Sequence, residues 1–413
     1  MAVHATTVLL LLFAFVVIGK STDPEDWKPE CAGEVVVPNG VTEIPMDAFF
    51  NCTDLTSITL PKSLTSIGER AFAECAALAS VSIPSSVTMI EASAFSGCSS
   101  LSSITIPDGV TTIAFESFAR CTSLASVALP RSVTTINDGA FAECAALASI
   151  RIPSSVTSIG NATFMMCSSL SSIVIPDGVT MVAFETFARC TSLTSVTLPS
   201  SITTINDGAF SRCDNLTSIA IPEGVTAIAR GSFSNCGSLE SITIPSSVTT
   251  IGNWAFYLCT SLTSITIPSG VKHIGEGGFA RCTSVTSITL AEEGVETIEK
   301  RAFMGCSSLA QIDIPDSVAS IGEHAFKECT ALASVHLPNA AELVAPKKVD
   351  SWKLVETEEG NYWWNTESGE TGFLGDPKPE VAQLTAAEIE ALGMLSVFEA
   401  NTTVTRRHDA ADL

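Results

Sequence analysis

Thirteen cysteines recur along the chain on one spacing, from Cys52 through Cys75, Cys98 and onward to Cys329; each interval is 23 residues except the 24 between Cys282 and Cys306. Thiols can pair, hold a soft metal or act as nucleophiles, and each role makes a demand on the neighbouring residues. Pairing needs converging Cβ vectors, whereas an odd, one-per-turn ladder sets them side by side. A metal site needs a second Cys or a His on the same turn, and none recurs there. A nucleophile needs a base at matching spacing, yet His273, His324 and His336 fall on separate turns and His4 and His408 near the ends. No phosphate loop, zinc signature or nucleophile elbow occurs. The ladder therefore reads as reduced core thiols, a setting free Cys favours. Cys31 stands apart, 21 residues before Cys52, and a Cys31–Cys52 disulfide is the candidate cap. The expectation is a non-enzymatic chain with no cofactor and no metal.

Such a ladder requires a repeating backbone. One unit runs "LTSITIPSGVKHIGEGGFARCTS" from Leu262, with apolar residues at Leu262, Ile265, Ile267, Val271, Ile274, Phe279 and Cys282. Leu-x-x-Ile-x-Ile alternates like a short strand, and Pro268 ends it because proline cannot donate to a ladder. Val-x-x-Ile gives a second extended segment. Gly275 turns the chain, and "EGGFARC" is expected to form one helical turn carrying Phe279 inward. A coil of this kind buries its face only by stacking on its neighbours, so the terminal coils need caps. Twelve full units are expected from Leu55 to near Thr330, after a degenerate coil (Val35 to Cys52) and before a partial one (Leu332 to Pro338). The extra residue sits near Glu292. At about 4.8 Å per coil the rod is about 60 Å long. A three-coil block also repeats: "LSSITIPDGVTTIAFESFARCTS" from Leu101 returns nearly unchanged from Leu170, 69 residues on.

The pattern Leu-x-x-Ile-x-Ile-Pro-x-x-Val-Thr-x-Ile-Gly-x-x-Ala-Phe-x-x-Cys resembles the BspA-like class of leucine-rich repeats over residues 34–338. The resemblance implies a repeat solenoid of short parallel β-strands and short helical turns, curved and right-handed, with a strand-lined face. It also implies a surface or secreted protein of adhesion type that binds other proteins. The ligand does not carry over.

Outward positions of the first strand are mostly hydroxylic, as at Ser57, Thr59, Ser103, Thr105, Ser241, Thr243, Ser264 and Thr266. Threonine recurs on the second strand at Thr65, Thr88, Thr111, Thr134, Thr157, Thr180, Thr203, Thr226 and Thr249. A soluble strand face suits these types; a hydroxyl array for glycan or ice is the sharper reading. Residues that break the pattern are the candidates for protein contact: Phe115, Phe184, the pair Trp254 and Tyr257, and Arg151, Asp313 and His336 on the hydroxyl face. Exposed aromatics and Arg are types favoured at binding hot spots. Sequons at Asn51, Asn161, Asn215 and Asn401 are candidate glycan acceptors in a secreted chain.

The ends differ from the middle. An apolar run from Val8 to Ile18 suits a signal peptide over residues 1–21. A net charge of -23 opposes nucleic-acid partners, and no segment has transmembrane length. After a linker (339–349), the segment 350–377 resembles a WW domain, with Trp352, the Tyr362-Trp363 pair, Asn365, Gly369, Thr371 and Pro377 as matching residues. The resemblance implies a small three-stranded antiparallel sheet. Trp352, Trp363 and Pro377 would be its core, and Tyr362, Thr371 and Phe373 its face for a Pro-rich peptide. Phe373 stands where that family has a second Trp. WW domains are mostly intracellular, which leaves an intracellular interaction scaffold as an alternative. The tail (378–413) holds one short helix candidate after Thr385, and its last dozen residues are expected to be unstructured.

Overall fold

The computed structural model describes residues 31–335 with their side chains. Outside that span it describes, as backbone, Val17–Ile18, His336 and Leu337, Glu342–Leu343, Trp352–Thr357, Gly360–Asn365, Thr371–Phe373 and Thr403–Arg406.

The alternating apolar residues build a solenoid of stacked coils. In one coil a first strand, Asp54–Thr59, precedes a turn in which Leu64 N–H donates to Pro61 O, and a second strand, Ser66–Ile67, follows. Neighbouring coils pair in parallel with equivalent residues in register, Ile58 beside Val81 and Ile67 beside Ile90. The period of 23 therefore places each residue type in a column along the rod. The Leu, Val, Ile, Phe and Cys columns fill the interior. Thirteen phenylalanine rings, Phe49 to Phe326, stack in one file with centroids 5.0–5.8 Å apart and planes within 13°, a spacing suited to offset stacking.

The expected helical turn is corrected. After the second strand the backbone forms a run of tight turns. Ala71, Ala73 and Cys75 donate back three residues, to Gly68, Arg70 and Phe72. Arg70, Phe72 and Glu74 donate sideways instead, to Ala92, Ala94 and Ser96 of the next coil. A helix aims every N–H along its own axis. Here alternate donors serve the neighbour, and two residues per coil adopt left-handed φ to allow it, such as Arg70 (55°) and Glu74 (62°).

The 24-residue coil absorbs its extra residue at Glu292–Gly294, where Gly294 takes φ 140° against Ser269. Beyond it Phe303 still stacks on Phe279. At the N-terminal end Cys31 and Cys52 form a disulfide with Cα atoms 4.8 Å apart. Val17–Ile18, inside the apolar leader run, pairs in parallel with Val35–Val36. At the other end Thr403–Arg406, expected to be unstructured, adds a parallel strand beside Ser334–Leu337. The tail's helix candidate lies outside the described residues.

The strand rows have gaps. The second-strand row breaks between Ile90 and Thr112 and again between Ile159 and Met181, at equivalent points of the duplicated block. The first-strand row breaks between Val81 and Ser103, between Thr197 and Ser218 and between Thr243 and Ser264, and it loses its strand altogether at Ile150–Ile152, between Ser126–Ala128 and Ser172–Val174.

Candidate functional site

The residues with the most evident chemistry are committed to packing. Each thiol from Cys75 to Cys329 donates to the carbonyl of the phenylalanine one coil back, as Cys75 Sγ does to Phe49 O at 3.1 Å and Cys329 Sγ to Phe303 O at 3.2 Å. Cys52, in the first coil, is paired with Cys31 instead. Burial pushes the Cys144, Cys190 and Cys282 thiols up to about 12, against a weaker opposing pull from backbone hydrogen bonds. A thiol held protonated in this way is a poor nucleophile.

The hydroxyl rows are also partly spent. Thr65, Thr134, Thr203 and Thr249 each donate Oγ1–H to the carbonyl of the threonine one coil back, at 2.9–3.3 Å.

Arg151 lies in a different setting. It occupies the outward position of the first strand row, between Ala128 and Val174, where most coils carry Ser or Thr. The strand row is broken at that coil, and a groove of about 1020 Å³ opens across three coils. Its lining includes Ala128, Leu129, Arg131, Arg151, Val174 and Asp177. Val174 is 64% exposed, and both arginines are exposed. Neither guanidinium joins an ion pair among the described residues. Arg131 was not singled out from the sequence, because it lies past Pro130 in another row. Only the stacking of coils brings it beside Arg151.

The other candidates do not converge on this groove. Phe115 and Phe184 are 48% and 46% exposed, three coils apart along the turn ridge. Trp254 and Tyr257 meet edge to face at 5.4 Å and are half-buried. Asn51 and Asn215 are exposed. Asn161 is held in the ladder: its Nδ2–H donates to Asp138 Oδ2 and its Oδ1 accepts from Phe184 N–H, both at 3.1 Å. In the C-terminal segment Trp352–Thr357, Gly360–Asn365 and Thr371–Phe373 form a three-stranded antiparallel sheet with Tyr362 opposite Phe373, Thr371 opposite Trp364, Trp363 opposite Leu354 and Trp352 opposite Asn365. Pro377 and Asn401 lie outside the described residues. A second, shallower groove of about 490 Å³ runs beside the cysteine ridge past Glu143, Met166, Arg189, Arg212 and Asn235.

Comparison with known proteins accords with this architecture. The model of the BspA type leucine rich repeat region matches overlapping stretches at residues 30–148, 88–217, 134–263 and 249–347. Among solved structures, the chain is similar to a leucine-rich repeat protein from Bacteroides ovatus, at 32% identity over 75% of this chain and 79% of that one, with a TM-score of 0.58. It is also similar to a leucine-rich repeat protein from Eubacterium ventriosum, at 24% identity over 80% and 87% of the two chains, with a TM-score of 0.50. No curated protein sequence matches the chain.

Proposed function

The chain belongs to the BspA-type leucine-rich repeat family, and on that premise we propose that it is a non-enzymatic, adhesion-type protein that binds other proteins through the outward face of its first strand row. The observation that carries this reading is the groove at Arg151, where the hydroxyl row and the strand ladder are interrupted together. Arginine is among the residue types enriched at protein interfaces. A secreted or cell-surface location fits the apolar run before Gly19 and the Cys31–Cys52 pair, since disulfides persist in oxidising compartments.

A photo-crosslinking residue installed at position 151, and separately at the equivalent position 220, tests the site. A protein adduct formed on the producing cells at 151 and absent at 220 is the expected result. Equal labelling at both positions would sink the reading. N-terminal sequencing of the cell-surface and culture-medium fractions tests the location.

A second reading concerns the C-terminal segment. We propose that residues 350–377 form a WW-like module for a Pro-rich peptide, with Tyr362, Thr371 and Phe373 as its contact residues. The antiparallel register of Tyr362 with Phe373 favours it, and an aromatic groove suits a ligand already extended as polyproline II. Titration of the full chain with a proline-rich decapeptide, before and after Tyr362→Ala, checks it; affinity unchanged by the substitution would end it. Binding through this module by a chain found inside the cell would favour the intracellular scaffold.

A further inference from the structure

We propose that Arg131 and Arg151 grip the carboxylates of an acidic, aliphatic-flanked peptide segment of the partner protein. This deepens the binding reading above and rests on it.

The charge balance is the first support. Acidic residues outnumber Lys and Arg by 44 to 21, and several cations on other coils are neutralised locally. Arg70 lies 3.3 Å from Asp47, Arg120 lies 2.8 Å from Glu74, and Lys272 lies 3.2 Å from Glu296. Arg131 and Arg151 have no such partner and share their groove with one carboxylate, Asp177, whereas the likewise unpaired Arg189 and Arg212 share theirs with Glu143 and Asp214. A guanidinium offers five N–H donors and no acceptor, so two of them call for a ligand rich in anionic acceptors. Carboxylate meets the guanidinium fork in a bidentate fit.

The internal duplication is the second support. In the other copy of the 69-residue block the same positions carry Ser200 for Arg131, Thr197 for Ala128, Ser82 for Arg151 and Thr105 for Val174. Nearby stretches such as "TTINDGAF" are identical in both copies. Divergence therefore includes the four side chains that give the groove its charge and its apolar flanks. Val174 and Ala128 replace hydroxyls beside Arg151, which favours aliphatic residues next to the bound carboxylates. An extended peptide of alternating Glu and Val has that composition.

Fluorescence anisotropy on the full chain tests the proposal with three labelled heptapeptides, of alternating Glu and Val, Gln and Val, and Lys and Val. The Glu/Val peptide should bind about tenfold more tightly than the Gln/Val peptide, the fold-change two exposed charge pairs together supply. Arg131→Glu with Arg151→Glu should abolish that preference, whereas Ser200→Glu with Ala220→Glu should leave it intact. Ala128→Thr with Val174→Thr keeps both charges and should weaken Glu/Val binding severalfold. If the charge-reversed variant fails to fold, Arg131→Gln with Arg151→Gln is read in its place. A Glu/Val peptide bound no better than Gln/Val, or bound equally by the arginine variants, overturns the proposal. So does a sulfated oligosaccharide that outcompetes the Glu/Val peptide at equal charge. If those outcomes arise while the adduct at position 151 persists, the protein-binding reading stands and the acidic class falls. If the adduct is absent as well, both fall.

Discussion

The indole of Trp254 lies over Gly277, the residue at the same position of the next coil. A Cβ on Gly277 would run into Cζ3 and Cε3 of the ring. The relation recurs with Glu116 over Gly139, Glu185 over Gly208, Glu74 over Gly97 and Arg281 over Gly305. All ten residues are left-handed. Along the two turn ridges a long side chain in one coil rests in the space a glycine leaves in the next.

Gly277→Ala should therefore destabilise the protein twice over. Left-handed backbone costs an L-residue about 1–2 kcal/mol, and the clash with the indole adds about 1–3 kcal/mol of overpacking. In a Trp254→Ala background only the first cost should remain. Urea unfolding of the four proteins in that cycle measures the difference; equal costs in both backgrounds would refute the contact.

Met166→Gly should stabilise. Met166 holds φ 61° and stands between Glu143 and Arg189, which form no ion pair. Arg120 and Glu74, the equivalent residues of the earlier block, meet at 2.8 Å across Gly97. Removing the Met side chain relieves the left-handed strain and opens the path for Arg189 to reach Glu143, an exposed pair worth about 0–1 kcal/mol. Glycine's added chain entropy takes back about 0.5–1 kcal/mol. The net gain should be about 0.5–1 kcal/mol and should shrink in high salt, read from melting temperatures at two ionic strengths.

Stability should fall steeply in alkali. Burial raises the folded thiols to about 12 at Cys190 and Cys236, while an unfolded thiol ionises near pH 8.5. The folded chain thus keeps protons that the unfolded chain loses. The thiols' contribution is complete below about pH 8.5 and is lost as the pH climbs toward 12, at about 1.4 kcal/mol per thiol per pH unit. Cys190→Ala with Cys236→Ala should flatten the slope of the urea midpoint between pH 9 and 11. An unchanged slope would remove the thiols as its cause.

Phe210→Ala should cost more than Phe326→Ala. Phe210 stacks on rings in both neighbours, at 5.4 and 5.3 Å, whereas Phe326 ends the described file with one contact at 5.5 Å. Truncating a buried Phe costs about 3–5 kcal/mol. Because each coil touches chiefly its neighbours, the central substitution should also split the thermal transition into two steps, visible by calorimetry. A single transition with equal losses for both variants would contradict this.

Much of the fold was legible because the period of 23 and the apolar columns act together: Ile58, Val81 and Ile104 face inward wherever the coils stack. The helical turn misled because Arg, Glu, Trp and Leu hold left-handed positions for which their types have no preference. Aligning the coils in columns exposes the signal, since Gly97, Gly139, Gly208, Gly277 and Gly305 fall at the same two positions. The same alignment would have shown Trp254 resting on Gly277 and so lowered its rank as a surface anchor. Arg151 was visible as a break in a hydroxyl row. Arg131 was not, because it lies in another row and only the stacking of coils places it on the same groove as Arg151.

The file of thirteen phenylalanines also has a mechanical meaning. Each inner ring is held by the coil on either side and each end ring by one, so tension on the two ends loads the terminal coils first. A 23-residue coil that peels away lengthens the chain by about 70–80 Å while its neighbours stay wound. A rod of this kind gives way in equal increments under load, like line paid out from a drum.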